Sequence, residues 1–164
     1  DNQLIPTLHM LSSSYSISMT RLELELTEDI ALSNSLMVKK QLDELRSLGI
    51  SISVDDFGKG YSNLAYIRDL HLDALKIDKA FVMELENGDV NRAIIEAVKI
   101  IGEAKGCRVV AEGVETVEQL HILREIGIGE GQGYLFSKAV PFKHFASLAQ
   151  QEIIIGSSPT RKKA

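Results

Sequence analysis

Apolar residues recur along this chain in two rhythms that take turns. Short runs of period two, rich in leucine, isoleucine and valine, read as strands. Longer stretches with apolar residues every three or four positions read as helices. Five strands are expected, at Arg21 to Thr27, Ile50 to Asp55, Ala74 to Asp78, Arg108 to Glu112 and Gln132 to Phe136. Between them, Asn34 to Leu48 carries Val38, Leu42, Leu45 and Leu48 on one helical face and stops at Gly49. Val90 to Lys105 gathers Ile94, Ala97, Val98 and Ile101 and stops at Gly106. Thr116, with Gln119 three residues on, spells a capping box for a helix that ends at Gly127. A helix from Phe142 to about Glu152 follows Pro141, and Gln3 to Ser13 precedes the first strand as one more.

Strand and helix alternating at roughly 25–30 residues per unit imply parallel strands joined by right-handed crossovers. A doubly wound sheet and an eight-fold barrel both satisfy that alternation. The first strand is followed by no Gly-x-Gly-x-x-Gly turn, which weakens the dinucleotide-binding form. The side-chain parity favours the barrel. Residues of like parity share a face of a strand. Leu22, Leu24 and Leu26 oppose Glu23, Glu25 and Thr27; Ile50, Ile52 and Val54 oppose Ser51, Ser53 and Asp55. Leu75 and Ile77 oppose Lys76 and Asp78, and Val109 and Ala111 oppose Val110 and Glu112. A parallel sheet covered on both faces reads as continuous aliphatics. Here polar residues gather toward the carboxyl ends of the strands, where barrel enzymes keep their chemistry. The expected fold is therefore α/β, a modified TIM (β/α)8 barrel of which this chain supplies about five strand-helix units.

Composition changes this picture little. The chain is 45% hydrophobic and 25% charged, an ordinary globular balance, and has no apolar run long enough for a membrane helix. No basic stretch followed by an apolar one opens it. The net charge of −5 offers no general attraction to a nucleic acid polymer or an anionic membrane, so any phosphate must be handled locally. One cysteine, Cys107, excludes an internal disulfide and fits a reducing, cytoplasmic setting as a packed thiol. His9, His71, His121 and His144 share no motif and are expected on the surface; Lys39-Lys40 and Arg68-Asp69 read as solvated helix faces. Residues 1–155 form the expected domain, and 156–164, ending in Arg161, Lys162 and Lys163, a disordered tail.

The candidate chemistry lies in Glu25, Asp55, Asp56, Lys76 and Glu112, all near strand ends. Taken singly, such a carboxylate is most often solvated or caps a helix. Together, oxygen donors in one cleft suit Mg²⁺ or Mn²⁺, and bound cations offset the repulsion between them. Lys76 adds a fixed positive charge. By residue type alone, a metal-dependent phosphodiesterase and an enolase-like lyase remain equally open.

Five ordered segments go further. Glu25-Leu26-Thr27-Glu28, Asp55-Asp56-Phe57-Gly58-Lys59-Gly60-Tyr61-Ser62, Leu75-Lys76-Ile77-Asp78, Val110-Ala111-Glu112-Gly113-Val114-Glu115-Thr116 and Gln132-Gly133-Tyr134-Leu135-Phe136 resemble the later signature motifs of the EAL-domain family. The resemblance implies a modified TIM barrel that hydrolyses cyclic di-GMP to linear pGpG at a two-metal Mg²⁺ or Mn²⁺ site. It implies metal ligation by Glu25, Asp55, Asp56 and Glu112, with Lys76 orienting the attacking water and Glu112 also a candidate base. Asp78, Glu115 and Gln132 match substrate-side or supporting positions. Thr27 and Glu28 match the pair anchoring the loop after Asp56. That loop, with Phe57, Gly58 and Gly60, links homodimerisation to metal binding in the family.

The departures are specific. The Glu-Ala-Leu strand and the strand bearing the metal-binding Asn are not in this sequence. Lys59 and Asn63 stand where Thr and Ser are usual, Gly127-Ile128-Gly129 replaces Gly-Cys-Asp, and Ala139 and Val140 interrupt Lys-Pro. The expectation is a partial domain, inactive and poorly stable in isolation. The alternative is a non-catalytic cyclic di-GMP receptor or interaction module.

Overall fold

The computed structural model describes residues 3–31, 36–59, 64–148 and 150. In chain order the elements are α1 (Leu4–Tyr15), β1 (Glu23–Thr27), α2 (Glu28–Ala31), α3 (Leu36–Ser47), β2 (Ser51–Phe57), α4 (Leu64–Asp69), β3 (Ala74–Ile77), α5 (Lys79–Met83), α6 (Asp89–Lys105), β4 (Arg108–Glu112), α7 (Val117–Ile126), β5 (Glu130–Gln132) and α8 (Phe142–Leu148). The strands form one parallel sheet in the order β1-β2-β3-β4-β5. Every crossover therefore steps the same way, and the helices collect on one face. A doubly wound sheet reverses its order; a barrel does not.

The apolar parity faces the helices. Ile52, Val54, Leu75, Ile77 and Ala111 are wholly buried against Leu42 and Leu45 of α3, Ile95 and Val98 of α6, and Leu123 and Ile126 of α7. α6 lies close on β4. A β-carbon on Gly102 would stand 2.3 Å from Val109 Cγ2, so glycine lets the helix lie on the strand. Lys105, at the end of α6, donates to the carbonyls of Arg68 and Leu70 at 2.8 and 2.6 Å and ties down the carboxyl end of α4. Thr116 and Gln119 make the expected capping box, with Gln119 N–H donating to Thr116 Oγ1 at 3.0 Å and Thr116 N–H to Gln119 Oε1 at 3.1 Å. α6 and α7 end at Gly106 and Gly127, both left-handed.

The structure corrects several boundaries. β1 begins at Glu23 because Met19–Arg21 is a 3₁₀ turn that Ser18 caps. β2 continues to Phe57 rather than stopping at Asp55, and Asp78 lies beyond β3 as the N-cap of α5. The fifth strand is Glu130–Gln132, not Gln132 to Phe136. Gly133 lies against the backbone of Val114, where a β-carbon would be 2.2 Å from the carbonyl oxygen, and the chain turns, closed by Phe136 N–H donating to Gly133 O. On α6, Val98 is buried and Ile94 and Ile101 pack against the core as expected, but Ile95 is buried and Ala97 exposed, so the face is turned slightly from the expected one. α1 runs to Tyr15, two residues beyond Ser13. α8 is described to Leu148; the expected end at Glu152, the tail 156–164 and Asn34 lie outside the described residues. The four histidines are exposed and Cys107 is half-buried, its thiol pushed up by burial.

Candidate active site

The opposite, polar parity makes the other face of the sheet, and its charged side chains meet across strands that are not neighbours. Lys76, on β3 and 6% exposed, is the centre of the upper group. Its Nζ lies 2.7 Å from Glu112 Oε1 on β4, 2.8 Å from Glu25 Oε1 on β1 and 2.9 Å from Asp55 Oδ1 on β2. Contact between β1 and β3 over the intervening β2 requires a sheet curled toward this face, as in a barrel wall. Gln132 on β5 donates to Glu112 Oε1 at 2.6 Å. Side chains of β1, β2 and β4 thus converge on the ammonium carried by β3, and Gln132 of β5 is joined to them through Glu112.

The electrostatics follow from burial and charge count. Burial pulls the Lys76 pKa down, but the hydrogen bonds to Glu112, Glu25 and Asp55 outweigh it and hold the ammonium above the ordinary lysine range. For Glu112, burial raises the pKa and outweighs the lowering by Lys76. Three carboxylates against one ammonium leave two formal negative charges uncompensated. An all-oxygen donor set with that surplus fits a hard divalent cation in chemistry. Among the described residues, no three acidic, histidine or cysteine side chains stand grouped to hold an ion by themselves; the ammonium occupies the point of convergence.

Asp56 takes a separate place. Val54 pairs with Leu75 and Phe57 with Ile77, so β2 carries one extra residue in a bulge, and Asp56 has φ of 55°. The bulge turns Asp56 to Asp78, whose neighbouring carboxyl raises the Asp56 pKa; burial adds to the rise. Asp78 is 1% exposed, accepts from Ala80 N–H at 2.7 Å, and has Oδ2 3.6 Å from Lys59 Nζ. Burial raises the Asp78 pKa, but Ala80, Asp56 and Lys59 together bring it below the usual range. The expected gathering of Asp56 with Asp55 about one point is therefore not the arrangement seen. Glu28, itself buried, accepts from Gly58 N–H at 3.1 Å and joins the end of β1 to the turn after β2. Thr27 ends β1 opposite Asp55. Phe57, expected in a loop, is buried as the last residue of β2. Gly60 lies outside the described residues. Glu115 has an exposed side chain, and its N–H donates to Gln119 Oε1 at 2.8 Å.

A second ionic group lies nearer the amino ends of the strands. Arg108, the first residue of β4, donates from one terminal nitrogen to Glu23 Oε2 on β1 and from the other to Glu130 Oε2 on β5, the latter at 2.9 Å. The sequence reading placed Glu23 on the correct face but did not pair it. Arg108 shares the parity of Glu112, and that was the available signal.

A curled, singly wound parallel sheet with acidic side chains and a lysine at the carboxyl ends of its strands defines an α/β chain of the barrel-enzyme type. Comparison with known proteins narrows this. The EAL domain family matches residues 1–139. The chain is 48% identical over 120 residues to the cyclic di-GMP phosphodiesterase NbdA of Pseudomonas aeruginosa, covering 73% of this chain and 15% of that protein. It is 40% identical over 139 residues to the probable cyclic di-GMP phosphodiesterase PdeB of Escherichia coli, covering 85% and 26%. Among solved structures, the PaMucR phosphodiesterase in complex with c-di-GMP superposes with a TM-score of 0.82 at 34% identity, over 87% of this chain and 58% of that one. A manganese and cy-diGMP complex of Klebsiella pneumoniae BlrP1 gives 0.77 at 32%, over 82% and 34%. The chain belongs to the EAL domain family. It spans less than a third of the length of these two relatives.

Proposed function

We propose that this chain supplies the carboxyl-terminal part of an active site that hydrolyses cyclic di-GMP to linear pGpG. The observation that carries the reading is the convergence of Glu25, Asp55 and Glu112 on Lys76 at the ends of parallel strands, in a chain of this family. Glu25, Asp55 and Glu112 would hold Mg²⁺ or Mn²⁺, and Asp56 would join them only by turning away from Asp78. When bound, such an ion lowers the pKa of its water and offsets charge on a phosphodiester. Lys76 orients the water and Gln132 fixes Glu112. The added water oxygen bonds to phosphorus, the bond from phosphorus to the 3′-oxygen breaks, and that oxygen leaves with a proton.

Beside β5, Val110, Val114, Leu123, Ile128 and Phe136 line an open groove of about 560 Å³, apolar surface that further strands would cover. The test is a cyclic di-GMP hydrolysis assay with Mn²⁺, on the chain alone and co-expressed with the amino-terminal strands of PaMucR. Release of pGpG from the complemented form, lost in Glu112→Gln, is expected. Metal-loaded, folded, complemented protein without turnover sinks the reading.

One observation favours a second reading, a receptor that binds cyclic di-GMP without cleaving it: the Lys76 ammonium already stands at the point where the three carboxylates meet. Calorimetry in EDTA separates the two, since a receptor binds nucleotide there and the enzyme site binds it weakly. Homodimerisation through the turn after Asp56 and a cytoplasmic location complete the proposal. Among the described residues no helix is long and apolar enough to cross a membrane.

A further inference from the structure

We propose that Arg108 is a positioning residue that sets the curl of the sheet and thereby the spacing of Glu25, Glu112 and Gln132 about Lys76. Ladder hydrogen bonds fix the register of neighbouring strands but leave the curvature of the whole sheet soft; contacts between non-neighbours set it. Two such chords cross the concave face. The upper one, Glu25 to Lys76 to Glu112, holds three carboxylates around one cation and is opened by their mutual repulsion. The lower one, Glu23 to Arg108 to Glu130, links β1, β4 and β5.

Each residue of the lower chord lies on the same strand face as a residue of the site, nearer the amino end of its strand. Glu23 is two positions before Glu25, Glu130 two before Gln132, and Arg108 four before Glu112. The guanidinium suits this task because its two terminal nitrogens point to opposite partners at once, which a lysine does not reproduce. The groups are half-exposed, so the chord adds little to global stability and its effect is read at the site. The importance of that spacing rests on the hydrolase reading above; the spacing itself does not.

The measurement is proton exchange of the lysine ammonium groups by ¹H–¹⁵N NMR on the labelled full chain. Lys105, bonded to two carbonyls on the convex side, serves as the internal control. Arg108→Leu is expected to shift the Lys76 signal and speed its exchange about tenfold, as loss of one charge-assisted hydrogen bond does, with Lys105 unmoved. Arg108→Lys should restore little of the change. Glu23→Gln with Glu130→Gln, isosteric and safer for folding, should reproduce the effect and add nothing to Arg108→Leu. An unchanged Lys76 signal in the folded variants, or equal changes at Lys76 and Lys105, overturns the proposal. Adding Mn²⁺ to the unaltered chain tests the other reading separately: absence of line broadening at the site sinks metal binding, while the exchange data still decide the brace.

Discussion

The two faces of the sheet are built on opposite terms. On the convex face Ile52, Val54, Leu75 and Ile77 have no exposed surface, and helices cover them. On the concave face, one residue away along the same strands, Glu25, Asp55, Lys76 and Glu112 meet with surplus negative charge. The first face stabilises by removing apolar area from water. The second concentrates like charge, which is unfavourable until something neutralises it. The difference teaches that stability and chemistry are separated by strand parity, so a substitution's effect should follow its parity rather than its position along the chain.

Lys76→Met breaks that comparison hardest. It leaves three carboxylates facing one another, and turnover of the complemented enzyme should fall up to about 10³-fold, near 4 kcal/mol in the barrier. Steady-state kinetics with the fold checked by circular dichroism reads this out. Ile52→Ala, one strand over and on the other parity, should cost roughly 3 kcal/mol of stability and leave turnover of the folded fraction within a few-fold. Urea unfolding gives the first quantity. Should Ile52→Ala abolish turnover in folded protein, the division between faces fails.

Much of this division was legible in the sequence. Alternation in Leu22 to Thr27 and Ile50 to Asp55 placed Glu25 and Asp55 on the face that carries them, and the capping box at Thr116 and Gln119 appears as written. What escaped were features decided by contacts distant in sequence. The bulge at Asp56 depends on how β2 registers with β3, so parity could not foresee its turn toward Asp78. Tyr134, Leu135 and Phe136 have strand composition, yet the close approach of Gly133 to Val114 turns them away. The brace at Arg108 joins strands that alternation treats one at a time.

Two smaller tests sharpen the convex side. Gly102→Ala places a methyl against Val109 and should destabilise by about 2 kcal/mol through overpacking, seen as a lower urea midpoint at unchanged slope. Thr116→Ala removes the N-cap of α7 and should cost about 1 kcal/mol, seen in the same titration. An unchanged midpoint for Gly102→Ala would mean that α6 shifts freely on β4, and the helix layer is less tightly fitted than the distances indicate.

The strand order has a kinetic corollary. Because each strand pairs with the next one in the chain, its partner arrives soon after it on the ribosome, and pairing proceeds unit by unit with modest loop-closure entropy. The Lys76 cluster follows another schedule. Glu25 and Asp55 emerge early and face each other, solvated, until β3 brings the Lys76 ammonium; Glu112 joins them only when β4 is made. The scaffold is assembled in passing; the chemistry becomes complete only once the fourth strand has docked.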